Sequence, residues 1–298
     1  DDNTLYLPYA TSLRMGDIGY QNSQEDNKGV KANYNSLRHY IYSLRAAMQT
    51  NCEDCEAIGL KKDGEYLQLN TNILQIANEY YSSVRPKPII NGSDRPLGAL
   101  LNRGVGYIEL RSLDVNPLIK DGIDEEQVQF LESFMLFCLL EDSPVISSSE
   151  INEIDLNSSL VAHRGREPGL KLMQKGKELN LKNWGESILN KIHDCSALLS
   201  EAHQQSVKQI SDRIINPDLT PSAQMLNEMK LQEQGFFEYT DQFSHKYQKI
   251  FKNMKISDGY FLELDRLRML SKEKQLEIES DDQLDFDQFL EEYFSSDT

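Results

Sequence analysis

The alternation of apolar and polar positions divides the chain into two textures. In "YNSLRHYIYSLRAAMQ", residues 34–49, the positions Leu37, Tyr40, Ile41, Leu44, Ala47 and Met48 recur at three- and four-residue intervals, the spacing of one helical face. Asn35 or Ser36, just ahead of that stripe, offers a side-chain oxygen to the unpaired amides of a first turn. "KKDGEYLQLNTNILQI", residues 61–76, changes period. A turn at Asp63-Gly64 leads into a strand with Leu67 and Leu69 on one face and Gln68, Asn70 and Asn72 on the other. "GVGYIELRSLDVNP", residues 104–117, has the same design: Tyr107, Glu109 and Arg111 share one side, Ile108 and Leu110 the other.

Residues 78–96 between these strands read as a loop, whose X-Pro units hold Arg85 and Lys87 in extended backbone. "DEEQVQFLESFMLFCLLED", residues 124–142, predicts an amphipathic to buried helix with Cys138 as a core thiol. From about residue 146 helical spacing dominates, broken at "GREPGL" and "NPDLTP", and the acidic, aromatic segment 279–294 predicts a short amphipathic helix. The fold class that follows is α+β in the first half and mostly α in the second.

Composition narrows the partners. Lys and Arg number 31 against 48 Asp and Glu, a formal charge of −17. That balance repels nucleic acid and anionic membrane surfaces, so any phosphate site has to be a local basic spot. A hydrophobic share of 39% over 298 residues suffices for a packed core in one large domain or two ordinary ones. No run reaches the roughly 18 to 20 apolar residues of a membrane span, and no signal peptide is visible. Four cysteines in this length point to a reducing compartment, and the cytoplasm is the expected location. Cys52 and Cys55 have the C-x-x-C spacing, but no second pair follows at zinc-site distance, so two free thiols in a polar loop are expected. The chain opens at Asp1, without Met, and drops directly into ordered-looking sequence, which reads as a piece of something longer.

Phosphate-loop, dinucleotide-fold, nucleophile-elbow and H-E-x-x-H patterns are all missing from the sequence. What remains is the polar strand face. Glu109 and Arg111 rise from it about 7 Å apart, at roughly 3.3 Å per residue. A carboxylate is a hard oxygen donor suited to Mg²⁺, and a guanidinium matches a phosphate fork. Asn70, Asn72 and Gln75 add neutral donors and acceptors, while Arg85 and Lys87 supply the basic spot. A plain surface ion pair, worth under about 1 kcal/mol, accounts for Glu109 and Arg111 equally well.

Several stretches resemble the proteobacterial type of glutamate–cysteine ligase: "YLPYATSLRMGDIGY" (6–20), "LQLNTNILQIANEYYSSVRPK" (67–87), "YIELRSLDVNP" (107–117), "DEEQVQFLESFM" (124–135), "SSSE" (147–150), "GREPGL" (165–170) and "NPDLTPSA" (216–223). They follow the family's order and approximate spacing from about Leu5 to the end. The resemblance implies a glutamine-synthetase-like fold, a curved antiparallel sheet flooring the active site, partial in this chain, with a mostly helical C-terminal half. It implies ATP-dependent joining of the γ-carboxylate of L-glutamate to the amino group of L-cysteine through a γ-glutamyl phosphate, with ATP as co-substrate and Mg²⁺ or Mn²⁺ as metal. Glu109 matches a metal ligand, Arg111 a residue on the transferred phosphoryl group, and Tyr20 and Tyr81 the cysteine pocket. Arg85, Lys87, Asn70 and Asn72 are placed near ATP by neighbourhood.

By the same resemblance residues 1–145 are the C-terminal part of the catalytic core and 146–298 a helical region. The family's N-terminal half, with most metal-binding glutamates, is expected to lie outside this chain, and these residues alone are expected to be catalytically silent. Two alternatives stand beside this reading. One is the glutamate–cysteine ligase domain of a bifunctional glutathione synthase; the other is a non-catalytic helical interaction module.

Overall fold

A computed structural model describes residues 4–20, 31–92 and 94–295. Its first helix, α1 (Leu37–Gln49), forms where the stripe predicts, and the Ser36 hydroxyl caps it by accepting from the His39 amide. A short helix α2 (Glu53–Ile58) and the hairpin β1 (Lys61–Lys62) and β2 (Glu65–Tyr66) follow. β3 (Val84–Lys87), α3 (Pro96–Arg103) and β4 (Tyr107–Leu110) come next, then the long helices α4 (Glu125–Leu140) and α5 (Ser148–Arg164). A second hairpin, β5 (Lys171–Gln174) and β6 (Lys177–Asn180), leads into α6 (Leu181–Ser196), α7 (Glu201–Ile215) and α8 (Pro221–Leu231). The chain continues through α9 (Phe236–Lys252), α10 (Asp258–Asp281) and α11 (Phe286–Ser295). The described residues are thus mostly helical, with three two-stranded antiparallel sheets.

The chain divides into two compact units, Asp1–Asn51 with Asn72–Ser244, and Cys52–Thr71 with His245–Thr298. In the first unit one core packs Tyr40, Ile41, Leu44 and Ala47 of α1 against Leu74, Ala77, Tyr80, Leu97 and Leu100. A second gathers Phe130, Phe134 and Phe137 of α4 around Leu189, Ile192 and Val207 of α6 and α7. In the second unit, Tyr66 packs edge-on against Phe286 and Lys61 reaches Asp287 at 2.8 Å. No described helix is long and apolar enough to cross a membrane.

Several expectations change. The segment after Tyr66 is not a strand: pairing stops at β2, and only an isolated bridge joins Asn72 to Asn51. Residues 84–87, read as loop, form β3 and pair with β4. The reason lies in the ladder. Arg111 N–H donates to Ser83 C=O at 2.7 Å, so the two-residue alternation turns the position of Pro86 toward the outer edge, where no N–H is needed. Residues 171–180, inside the supposed helical half, form a hairpin because Lys175 and Gly176 both adopt positive φ, 52° and 75°, and so close a two-residue turn. Cys52 and Cys55 are joined as a disulfide rather than left as free thiols. Cys138 is exposed: it lies near the end of α4, beyond the Phe130–Phe137 face that packs.

Candidate active site

β3 and β4 build the site. Their register sets Arg85 opposite Glu109 and Lys87 opposite Tyr107, so Arg85, Lys87, Tyr107 and Glu109 share one face, with Arg111 one step past the strand. Glu109 lies between two cations. Its Oε2 is 3.3 Å from Lys87 Nζ, and its Oε1 is 3.9 Å from Arg111 Nε. Neither contact completes its hydrogen bonding: among the described residues Glu109 Oε2 and Arg111 Nη1 are shielded from solvent yet have no hydrogen-bond partner. Shielded, unmatched polar atoms of opposite charge are costly unless a ligand supplies the missing acceptor and cation.

Arg111 is also stacked. Its guanidinium lies 4.5 Å from the centroid of the Tyr81 ring, Tyr81 stacks on Tyr20 at 5.3 Å, and the Arg14 guanidinium lies 5.2 Å from the Tyr20 centroid. The two guanidiniums and the two rings form one cluster. Hydrogen bonds lock its middle: the Tyr81 hydroxyl donates to Arg111 C=O at 3.1 Å, and Arg14 Nε donates to both the Tyr81 oxygen and that carbonyl. Tyr20 reaches this cluster through a turn that Gly19 closes by donating to Gly16 C=O. A Cβ at Gly19 would stand 1.9 Å from Arg14 C=O, which excludes any other residue there without a shift of the loop.

The remaining expected residues divide. Arg85 is buried, and its Nη2 donates to Ala77 C=O at 2.8 Å and to Asn78 Oδ1 at 3.0 Å, so part of its guanidinium is used in holding the turn before β3. Behind it, burial pushes the pKa of the Tyr40 hydroxyl up to about 12, partly offset by Arg85 and Arg111. Asn72 donates from Nδ2 to Met48 C=O at 2.6 Å, closing the end of α1. Asn70 belongs to the second unit and is half-buried. Arg14 and Asp114, which spacing did not single out, join the cluster; both lie inside quoted motifs, "SLRMGD" and "RSLDV", but at no periodic offset from the other site residues.

As a metal site the cluster is partial. No group of three or more His, Cys, Asp or Glu side chains capable of holding an ion occurs among the described residues. Glu109 fits one oxygen ligand of an ion carried on a nucleotide, since Mg²⁺ takes one or two carboxylates and completes its shell with phosphates and water. It does not fit an all-protein cage.

A short antiparallel ladder with a carboxylate and guanidiniums on one face, in a mostly helical chain, defines a protein of the α+β class. Comparison supplies the family. The glutamate–cysteine ligase family model matches residues 1–161. The glutamate–cysteine ligases of Pseudomonas paraeruginosa and Shewanella halifaxensis are 41% and 38% identical over 99% of this chain, covering 56% and 57% of their own lengths. The crystal structure of glutamate–cysteine ligase from Francisella tularensis in complex with AMP superposes with a TM-score of 0.89 at 29% identity, over 97% of this chain and 57% of that one. A bifunctional glutathione synthetase from Pasteurella multocida shares the fold at a TM-score of 0.55 and 19% identity, over 80% of this chain and 26% of its own. The chain belongs to the glutamate–cysteine ligase family, and it spans a little over half the length of the curated relatives it matches.

Proposed function

We propose that this chain contributes the phosphate-handling and amine-acceptor side of an ATP-dependent glutamate–cysteine ligase, the enzyme that makes the first peptide bond of glutathione. The γ-phosphoryl group of ATP moves to the side-chain carboxylate of glutamate, giving γ-glutamyl phosphate and ADP. The amino nitrogen of cysteine then attacks the acyl carbon. The C–N bond forms, the C–O bond breaks, phosphate leaves, and the amine loses a proton. The observation that carries the reading is the shielded pair of unmatched atoms, Glu109 Oε2 and Arg111 Nη1, on one strand face beside two stacked tyrosines. The AMP held by the Francisella relative supports a nucleotide in this fold.

Phosphorylating a carboxylate brings two anions together in a protein of charge −17, so local cations have to offset the repulsion. Arg111 remains on the phosphoryl oxygens through both steps, and Lys87 adds charge from the same face; Asn70, Asn72 and Arg85 keep a nucleotide role only by sequence neighbourhood. Bound Mg²⁺ or Mn²⁺ supplies charge screening, with Glu109 as one of its ligands. Tyr20 and Tyr81 present an apolar wall with a polar tip to a small thiol side chain. Residues 1–145 serve as the C-terminal part of a catalytic core, on a floor continuous with a glutamine-synthetase-like curved sheet, and residues 146–298 as its helical frame.

Arg111→Ala in the intact protein tests the reading. Loss of one preorganised electrostatic group should cost about 3 kcal/mol in transition-state stabilisation, measured as kcat/KM for ADP release dependent on glutamate and cysteine. Unchanged turnover would return the chain to a helical interaction module. Competition between cysteine and 2-aminobutyrate then tests the thiol preference of the tyrosine wall.

A further inference from the structure

The loop that carries Arg14 is held from two directions. On one side Thr11 N–H donates to Ala162 C=O at 2.8 Å, and Arg166 reaches back to Pro8 and Ala10 carbonyls at 2.7 and 3.0 Å, tying residues 8–12 to the end of α5. On the other side there is one carboxylate. Asp114 accepts from the Ser12 hydroxyl through Oδ2, and through Oδ1 from the backbone N–H groups of Leu13 at 3.0 Å and Arg14 at 2.9 Å. The Ser12 hydroxyl in turn accepts from Met15 N–H at 3.0 Å. Three consecutive residues are therefore gripped by a side chain three positions beyond Arg111.

We propose that Asp114 is a positioning residue for the amine-acceptor pocket: its carboxylate fixes residues 12–14 so that Arg14 is held against the Tyr20 ring and the Tyr81 hydroxyl. This rests on the reading of those tyrosines as the cysteine pocket. Its consequence is a coupling within one segment. The backbone leaving β4 carries Glu109 and Arg111 on the phosphate side and Asp114 on the acceptor side, so the spacing between the two half-sites is set by five residues of sequence. Asp114 is exposed and fills no core, so its loss frees the loop without collapsing the fold.

Asp114→Ala and Asp114→Asn in the intact protein decide the matter. The second substitution removes the charge but keeps the geometry, because the new amide oxygen still accepts both backbone N–H groups. With Asp114→Ala the cysteine KM should rise about tenfold or more while the ATP KM stays within about twofold, and Asp114→Asn should recover most of the loss. Tryptic cleavage after Arg14 should accelerate by a similar factor, about tenfold, in Asp114→Ala alone. Unchanged cleavage and unchanged cysteine KM would overturn the proposal, as would equal rises in the cysteine and ATP KM. If the wild-type protein releases no ADP with glutamate and cysteine, the functional reading fails; the cleavage assay still decides whether Asp114 holds the loop.

Discussion

Glu109 has two neighbours competing to explain it. Lys87 at 3.3 Å and Arg111 at 3.9 Å are close enough to compensate its charge, yet its Oε2 makes no hydrogen bond among the described residues. A carboxylate serving only a partly exposed ion pair contributes under about 1 kcal/mol and leaves metal dependence untouched when neutralised. One serving as an ion ligand does not. Glu109→Gln should therefore raise the Mg²⁺ concentration for half-maximal rate by about tenfold or more, with little change in thermal stability. An unaltered Mg²⁺ dependence would assign the carboxylate to Lys87. The shared facing of Glu109 and Arg111 was readable in advance, because a two-residue period leaves a strand side chain only two directions. Arg14 and Asp114 were not readable: they meet across 100 positions, and no local period records such a meeting.

Among the elements, α5 shows the most direct passage from sequence to geometry. In "SSSE" the Ser147 side chain accepts from the Glu150 amide, and the Glu150 carboxylate accepts from Ser147 N–H at 3.0 Å and from its hydroxyl at 2.8 Å, a reciprocal cap. Those two bonds, the backbone one first, hold the Glu150 carboxyl below its ordinary value of 4.5. A lowered folded value means that this carboxylate stabilises the helix end above the ordinary value and that the contribution disappears as pH falls through the lowered one. Ser147→Ala should cost about 1 kcal/mol of stability in urea unfolding and move the Glu150 titration, followed by NMR, only part of the way back, because the backbone N–H at position 147 still donates. β3 was hidden for the opposite reason. Pro86 and Pro88 suggest loop, and only the partner strand shows that Pro86 faces outward, as the Tyr34 hydroxyl bond to Val84 C=O at 2.9 Å on that edge also indicates.

For the molecule as a whole, charge and ligand supply set the terms. A net charge of −17 opposes polyanions overall, and Lys87 and Arg111 put local positive charge beside Glu109. Among the described residues Glu109 is the one carboxylate on that face, and they contain no further cluster able to complete an ion shell.

By itself the sequence determined whatever depends on near neighbours: the α1 stripe, its cap at Asn35 or Ser36, the Asp63-Gly64 turn, and the common facing of Glu109 and Arg111. These follow from periods of 3.6 and 2 residues and from hydrogen bonds within one turn. Tertiary structure alone decided that β3 pairs with β4, that Cys52 and Cys55 join, that Arg85 turns inward, and that Arg14 reaches the tyrosines. Each of those outcomes turns on which distant groups come to share a shielded space, and burial and hydrogen-bond satisfaction are settled only once the chain has closed on itself.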